Sequence, residues 1–239
     1  MLFKFIGPLL LARILNSLYN TIDMIIIGQY MGSSGTVAVS MGGKMLMFLT
    51  MISTGLAGGG QVLISQQLGA RQNDQVKESV GTLFSLLGII SLSICLVCLF
   101  GSSRIIDWLN TPPESAAAAL SYLRITCIGL PLMFGYNAVS AVLRGMGDSR
   151  RPLLFIAIAA VLNFILDIVF IVYFHLGVTG TALATVIGQG VSFIISIVFL
   201  YKKRSLFEFD FKLKSFVIDK GKAGIILRIG LPLAAQSGL

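Results

Sequence analysis

Two polar side chains stand in the middle of an apolar run. Asn163 and Asp167 interrupt residues 153–173, a stretch otherwise made almost wholly of Leu, Ile, Val, Ala and Phe. A helix needs about 20 apolar residues to cross the hydrocarbon core, and this run has that length. Four positions apart, the two side chains share one face of the helix, one turn from each other. A carboxylate at that depth costs about 2.5–3.5 kcal/mol on insertion scales. Fold stability alone does not require it, because an Asn or Ser would hydrogen-bond a neighbouring helix more cheaply. Asp167 is therefore expected to work with a proton or a cation, with partners or water supplied by another helix.

Other elements carry residues suited to that task. Residues 5–30 form a first apolar run, with Pro8 near its start, where a missing N–H is tolerated. Its polar residues are Asn16, Tyr19, Asn20 and Asp23. At 100° per residue they fall within an arc of roughly 100°, a face that must look into a bundle rather than at lipid. Asp23 then becomes a second deep carboxylate. Residues 178–201 place Thr181, Thr185 and Gln189 along one side, and residues 116–143 carry Asn137, with Pro131 expected to interrupt that span. Two nearby carboxylates raise each other's pKa, so one proton can be shared near neutral pH. Amide, hydroxyl and carboxylate oxygens equally suit Na⁺, by analogy with the hard divalent cations. These residues leave the choice of ion open.

The chain that must position them has 239 residues, 56% of them hydrophobic and only 12% charged, with a mean hydropathy of +0.91. A soluble domain carries about twice that charge. The runs do not alternate as membrane-barrel strands do, so an all-α integral membrane protein is expected. Its spans fall at residues 5–30, 41–65, 80–100, 116–143, 153–173 and 178–201, giving a six-helix bundle over 1–201. A basic linker follows at 202–222, where the alternating Phe207–Lys212 segment suits the membrane surface. A seventh run starts within 223–239. Gly55 and Gly59 form a G-x-x-x-G pair in the second span, spaced for close helix approach. Cys95, Cys98 and Cys127 all lie in apolar runs, where a thiol is inert. The first run is too long for a cleavable leader and carries Asp23, so it reads as a spanning helix.

The net charge of +8 is topological rather than a nucleic-acid footprint. Arg71, Lys77, Arg144, Arg150 and Arg151 fall in alternate loops on the same side as the linker's lysines. The opposite loops hold only Arg104. The positive-inside rule places the basic side, and the N-terminus with it, in the cytoplasm of a multi-pass inner-membrane protein. A faint repeat links Ile6-Gly7-Pro8-Leu9 to Ile229-Gly230-Leu231-Pro232-Leu233, and repeated halves are typical of transporters.

Several stretches resemble the multidrug and toxic compound extrusion (MATE) transporters. They are Tyr19-Asn20-Thr21-Ile22-Asp23, Ser65-Gln66-Gln67-Leu68-Gly69-Ala70 and Leu143-Arg144-Gly145-Met146-Gly147-Asp148-Ser149. The series continues with Leu162-Asn163-Phe164-Ile165-Leu166-Asp167, residues 177–185 and Leu227-Arg228-Ile229-Gly230-Leu231-Pro232. The resemblance covers nearly the whole chain. It implies one lobe of a twelve-helix, two-lobe antiporter that exports drugs or other amphiphiles, driven by Na⁺ or H⁺, with no other cofactor. It further implies a cation site at Asp23, Asn163, Asp167 and Thr185, with Pro8, Tyr19 and Asn137 in the same region. Asn16, Asn20 and Gln189 are expected to border the cavity. A small amphiphile, membrane lipids and a second six-helix lobe are the expected partners, the lobe coming from further chain or from a second copy.

Two other readings use the same residues. A lipid-linked oligosaccharide flippase of the wider superfamily would line its cavity with basic residues, of which the early spans offer Arg13. An intramembrane aspartyl protease would use a G-x-G-D motif, which Gly145-Met146-Gly147-Asp148 matches. Asp148, however, sits among Arg144, Arg150 and Arg151 in a loop.

Overall fold

A computed structural model describes the backbone of residues 2–202 and 215–236, with side chains for Thr21 and from Met24 onward within those stretches. The described residues are helical apart from short turns. The elements are α1 (Leu2–Gly69), α2 (Asn73–Trp108), α3 (Pro113–Ile128), α4 (Leu130–Gly145), α5 (Arg150–Asp167), α6 (Gly177–Lys202) and α7 (Lys220–Gln236). Four of these stretches are long and apolar enough to cross a membrane, or five when α3 and α4 count as one bent span.

α1 is two helices joined through Gly32, whose φ of 65° and ψ of −157° an L side chain avoids. The chain folds back there. A Cβ on Gly28 would come 3.4 Å from the Thr36 hydroxyl, and one on Gly35 would come 3.3 Å from Ile27. Thr36 caps the turn by donating to the Gly32 carbonyl at 3.0 Å. The ten-residue connection expected between the first two spans is therefore a single residue, because helix-compatible residues run up to the glycine from both sides.

α2 extends past the expected span at both ends, from Asn73 to Trp108. Of the polar residues there, Asn73, Asp74, Arg104 and Asp107 are exposed, while buried Ser79 and Ser102 donate to Gln67 Oε1 and to the Leu99 carbonyl. Trp108, expected as an interface anchor, is the last residue of α2 and is 81% exposed. The α3–α4 span breaks at Gly129, with a bend of 46°. Pro131 lies in the first turn of α4, where no intrahelical N–H is lost. The expected break thus sits two residues before the proline.

Arg144, expected in a loop, belongs to the last turn of α4 and donates through Nε to Gln61 Oε1 of α1 at 3.0 Å. Asp148 is held in the following turn by Arg151. It lies 19 residues before Asp167, about 28 Å along the helix axis. Those two carboxylates cannot form an aspartyl dyad. The three cysteines are buried and free.

α7 packs into the second leg of α1. A Cβ on Gly55 would lie 2.4 Å from the Ala234 backbone, and one on Gly59 2.4 Å from the Ile226 carbonyl. A Cβ on Gly230 would lie 2.8 Å from Leu56 Cα. The G-x-x-x-G pair thus has a defined partner. The approach to α7 is pinned to α2: Ser85 donates to the Phe216 carbonyl at 2.8 Å, and the Asp219 N–H donates to Thr82 Oγ1 at 3.1 Å. Phe84 meets Phe216 edge-on, and Lys222 pairs with Glu78. The segment 207–212 lies outside the described residues.

Candidate functional site

α5 and α6 lie in close contact along the face that carries Asn163 and Asp167. Gly188 of α6 makes this possible, since a Cβ there would come 3.1 Å from the Ala159 carbonyl and 3.3 Å from Asn163 Cβ. One turn further along, Ser192 donates to the Phe155 carbonyl at 3.1 Å. With α5 and α6 so registered, Asn163, Asp167 and Thr185 are sealed between helices at 1%, 0% and 3% exposure. Asp167 is the last residue of regular α winding before a π-helical turn, Ile168–Tyr173. Such turns loosen the i→i−4 ladder and are frequent at functional sites.

Asn163 and Thr185 open onto a cavity of about 140 Å³. Gln189 and Ser192 of α6 border it, as do Tyr136 and Asn137 of α4 and Thr50 and Thr54 of α1. Asn137 is buried and donates from Nδ2 to Ser53 Oγ at 2.8 Å, which fixes its amide against α1. Tyr136 donates to the Pro152 carbonyl at 2.9 Å and so braces α4 on the start of α5. The wall is amide and hydroxyl set in aliphatic surface. No basic side chain lines it among the described residues.

The structure therefore brings together Asn137, Asn163, Thr185 and Gln189, with Asp167 one turn beneath Asn163. Asp23, Pro8, Asn16, Tyr19 and Asn20 have side chains outside the described residues. Among the described residues no cluster of three His, Cys, Asp or Glu side chains forms a metal site.

Five polar contributors escaped the sequence reading: Thr50, Ser53, Thr54, Tyr136 and Ser192. Thr50 and Thr54 are an i,i+4 polar pair in an apolar span, the same signal that marks Asn163 and Asp167. In the second span it is overshadowed by the glycines around it. Two basic residues within spans were also passed over, Lys44 and Arg124, both exposed.

A family model described as MatE matches residues 8–169. The chain is 29% identical over 233 residues to the probable multidrug resistance protein YoeA of Bacillus subtilis, covering 95% of this chain and 50% of that protein. It is 30% identical to the probable multidrug resistance protein YpnP of the same organism, covering 96% and 51%. It also superposes with a TM-score of 0.90, at 25% identity, on a multidrug resistance MATE family transporter of the MOP superfamily in its outward-facing conformation. That match takes in 98% of this chain and 51% of the other. The chain thus spans about half the length of the relatives it matches.

Proposed function

We propose, from the premise that the chain belongs to the MatE family of transporters and is no enzyme, that it forms the first lobe of a cation-coupled exporter of amphiphilic molecules. The lobe comprises six crossings: the two legs of α1, then α2, the bent α3–α4 pair, α5 and α6. α7 is the proposed start of a second lobe, supplied by further chain or by a second copy. The assembly sits in the cytoplasmic membrane with its basic loops and N-terminus inside.

The observation that carries this reading is Asp167, a carboxylate at 0% exposure within an apolar helix, one turn from the cavity-lining Asn163 and facing α6. A buried charge of that kind must be compensated by a proton, a cation or a partner. Asp23 is the proposed second carboxylate, with Asn163 and Thr185 as oxygen donors. The two carboxylates and the adjacent polar wall can hold either H⁺ or Na⁺ as the transported coupling ion. Loading the site removes net charge from the lobe and changes which helix packing is favoured. Substrate in the adjacent cavity biases the same packing equilibrium, which is what coupling requires. A basic cavity would favour a lipid-linked oligosaccharide instead, and the described lining holds no basic residue.

Asp167→Asn in the full reading frame tests the proposal. The amide keeps the shape and a hydrogen bond but cannot titrate. Insertion and folding are expected to survive, with about 2–3 kcal/mol of insertion cost removed. Substrate binding is expected to persist while gradient-driven export in proteoliposomes falls to background. Export at the wild-type rate across a range of pH and Na⁺ would make Asp167 a structural residue.

A further inference from the structure

The outward face of α2 is apolar, Ser93 apart, through Leu92, Leu96, Val97 and Phe100, the last 90% exposed. Beyond Phe100 the exposed positions become Ser103, Arg104 and Asp107, followed by Trp108. α3 makes the same change in the opposite chain direction. Its outward stripe is Ala117, Ser121, Arg124 and Ile128 at helical spacing, Ser121 half-buried and the other three exposed. Ile128 is apolar and 61% exposed, while Ser121 and Arg124 are polar. The two helices change character at one shared level, because Arg124 Nε donates to Ser102 Oγ of α2 at 3.1 Å. Ser102 is itself buried and donates to the Leu99 carbonyl at 3.0 Å, so the anchor is fixed.

We infer that Arg124, clamped to Ser102 across the α2–α3 contact, is a binding site for the phosphate of an anionic phospholipid at the edge of the apolar belt. A guanidinium has five N–H donors in a rigid fork, and Ser102 takes one of them. Among the described residues Arg124 makes no ion pair, and neither Asp107 nor Glu114, the exposed acids of the adjoining turns, reaches it. Beside it, exposed Ala117 and half-buried Ser121, whose hydroxyl turns back to the Ala117 carbonyl at 3.1 Å, are small side chains that leave room for a headgroup. At the depth where apolar surface ends, the abundant anion is lipid phosphate, and its two oxygens match the fork. A lysine in this place would be a hydrated point charge with no need of Ser102. With Nε committed to Ser102, exposed Arg124 keeps its other donors for a ligand. The site is independent of the transport reading.

Native mass spectrometry of the protein in its full reading frame tests this, after release from nanodiscs of phosphatidylcholine mixed with phosphatidylglycerol. Wild type is expected to retain phosphatidylglycerol about fivefold over its share of the disc, the preference one interfacial arginine confers. Arg124→Gln is expected to lose that preference, while Arg104→Gln, at a similar level without the serine clamp, is expected to keep it. Arg124→Lys preserves charge and is expected to retain a weaker preference. It also keeps the test open should Arg124→Gln fail to assemble. No enrichment in wild type overturns the inference, as does enrichment in the Gln or Lys variant equal to wild type. Displacement of the retained lipid by inorganic phosphate overturns the lipid assignment.

Discussion

Two seams in this molecule bring helices into unusually close contact, and they do so for different ends. Where α7 meets α1, Gly55, Gly59 and Gly230 let backbone come against backbone. Where α6 meets α5, one glycine, Gly188, draws Asn163 and Asp167 against Thr185. Lipid tails are as apolar as leucine, so neither seam is held by the hydrophobic effect in its usual form. Packing and interhelical hydrogen bonds hold both. The first seam spends close approach on fastening one helix to another. The second spends it on sealing a carboxylate from lipid and water. A glycine seam in a membrane protein thus says nothing of function until the side chains it admits are known.

Gly59→Ala should break the contrast most severely. Its methyl would sit 2.4 Å from the Ile226 carbonyl and 2.9 Å from the Gly230 nitrogen, and neither atom can rotate away. Overpacking of that kind costs about 1–3 kcal/mol or more. α7 is expected to part from α1, giving early thermal unfolding in detergent and new protease cuts near residue 220. An unchanged melting curve would show that the seam is softer than its geometry.

Gly188→Ala should be milder for the fold and harsher for function. The new methyl would meet the Ala159 carbonyl at 3.1 Å, which a few tenths of an ångström would relieve. Stability is expected to fall by about 1 kcal/mol. Separation of Asn163 from α6 should nonetheless weaken coupling-ion binding, read as a higher ion concentration for half-maximal export. If stability falls as far as in Gly59→Ala while ion dependence stays put, the two seams are alike and the comparison fails.

The smallest effect belongs to the Asn137–Ser53 hydrogen bond at 2.8 Å. Interhelical hydrogen bonds in membranes average about 0.6 kcal/mol in double-mutant cycles. A cycle of Asn137→Ala and Ser53→Ala, followed by thermal unfolding, should return a coupling of that order. A value indistinguishable from zero would free Asn137 for the cavity alone.

Much of this was legible in the order of residues. Asn163 and Asp167 announce themselves because a polar pair at i,i+4 cannot be hidden in twenty apolar residues. Thr185 and Gln189 follow by the same spacing. What the sequence conceals is reach. Nothing near Gly55 says that its partner lies at Ala234, and nothing near Asn137 says that Ser53 will meet it. Helix ends were misjudged where apolarity was taken as the criterion, as at Trp108 and across residues 31–40. A helix continues for as long as its backbone is satisfied, whether or not lipid surrounds it. Pro131 misled in the reverse sense, since a proline ends the helix before it and starts the next one comfortably. Arg124 went unseen because the charge count weighed loops, and this cation belongs to a helix.

The fold-back at Gly32 bears on how the protein is made. A turn of one residue leaves no polar loop to be released on the far side of the membrane between the first and second legs. Consecutive Cα atoms are about 3.8 Å apart, so the second leg begins at the ribosome's exit path while the first is still beside it. The two legs must leave the insertion machinery together, as a helical hairpin. Polar residues in a leg inserted alone would be costly to place in lipid, and a hairpin brings a second helix into the membrane with them.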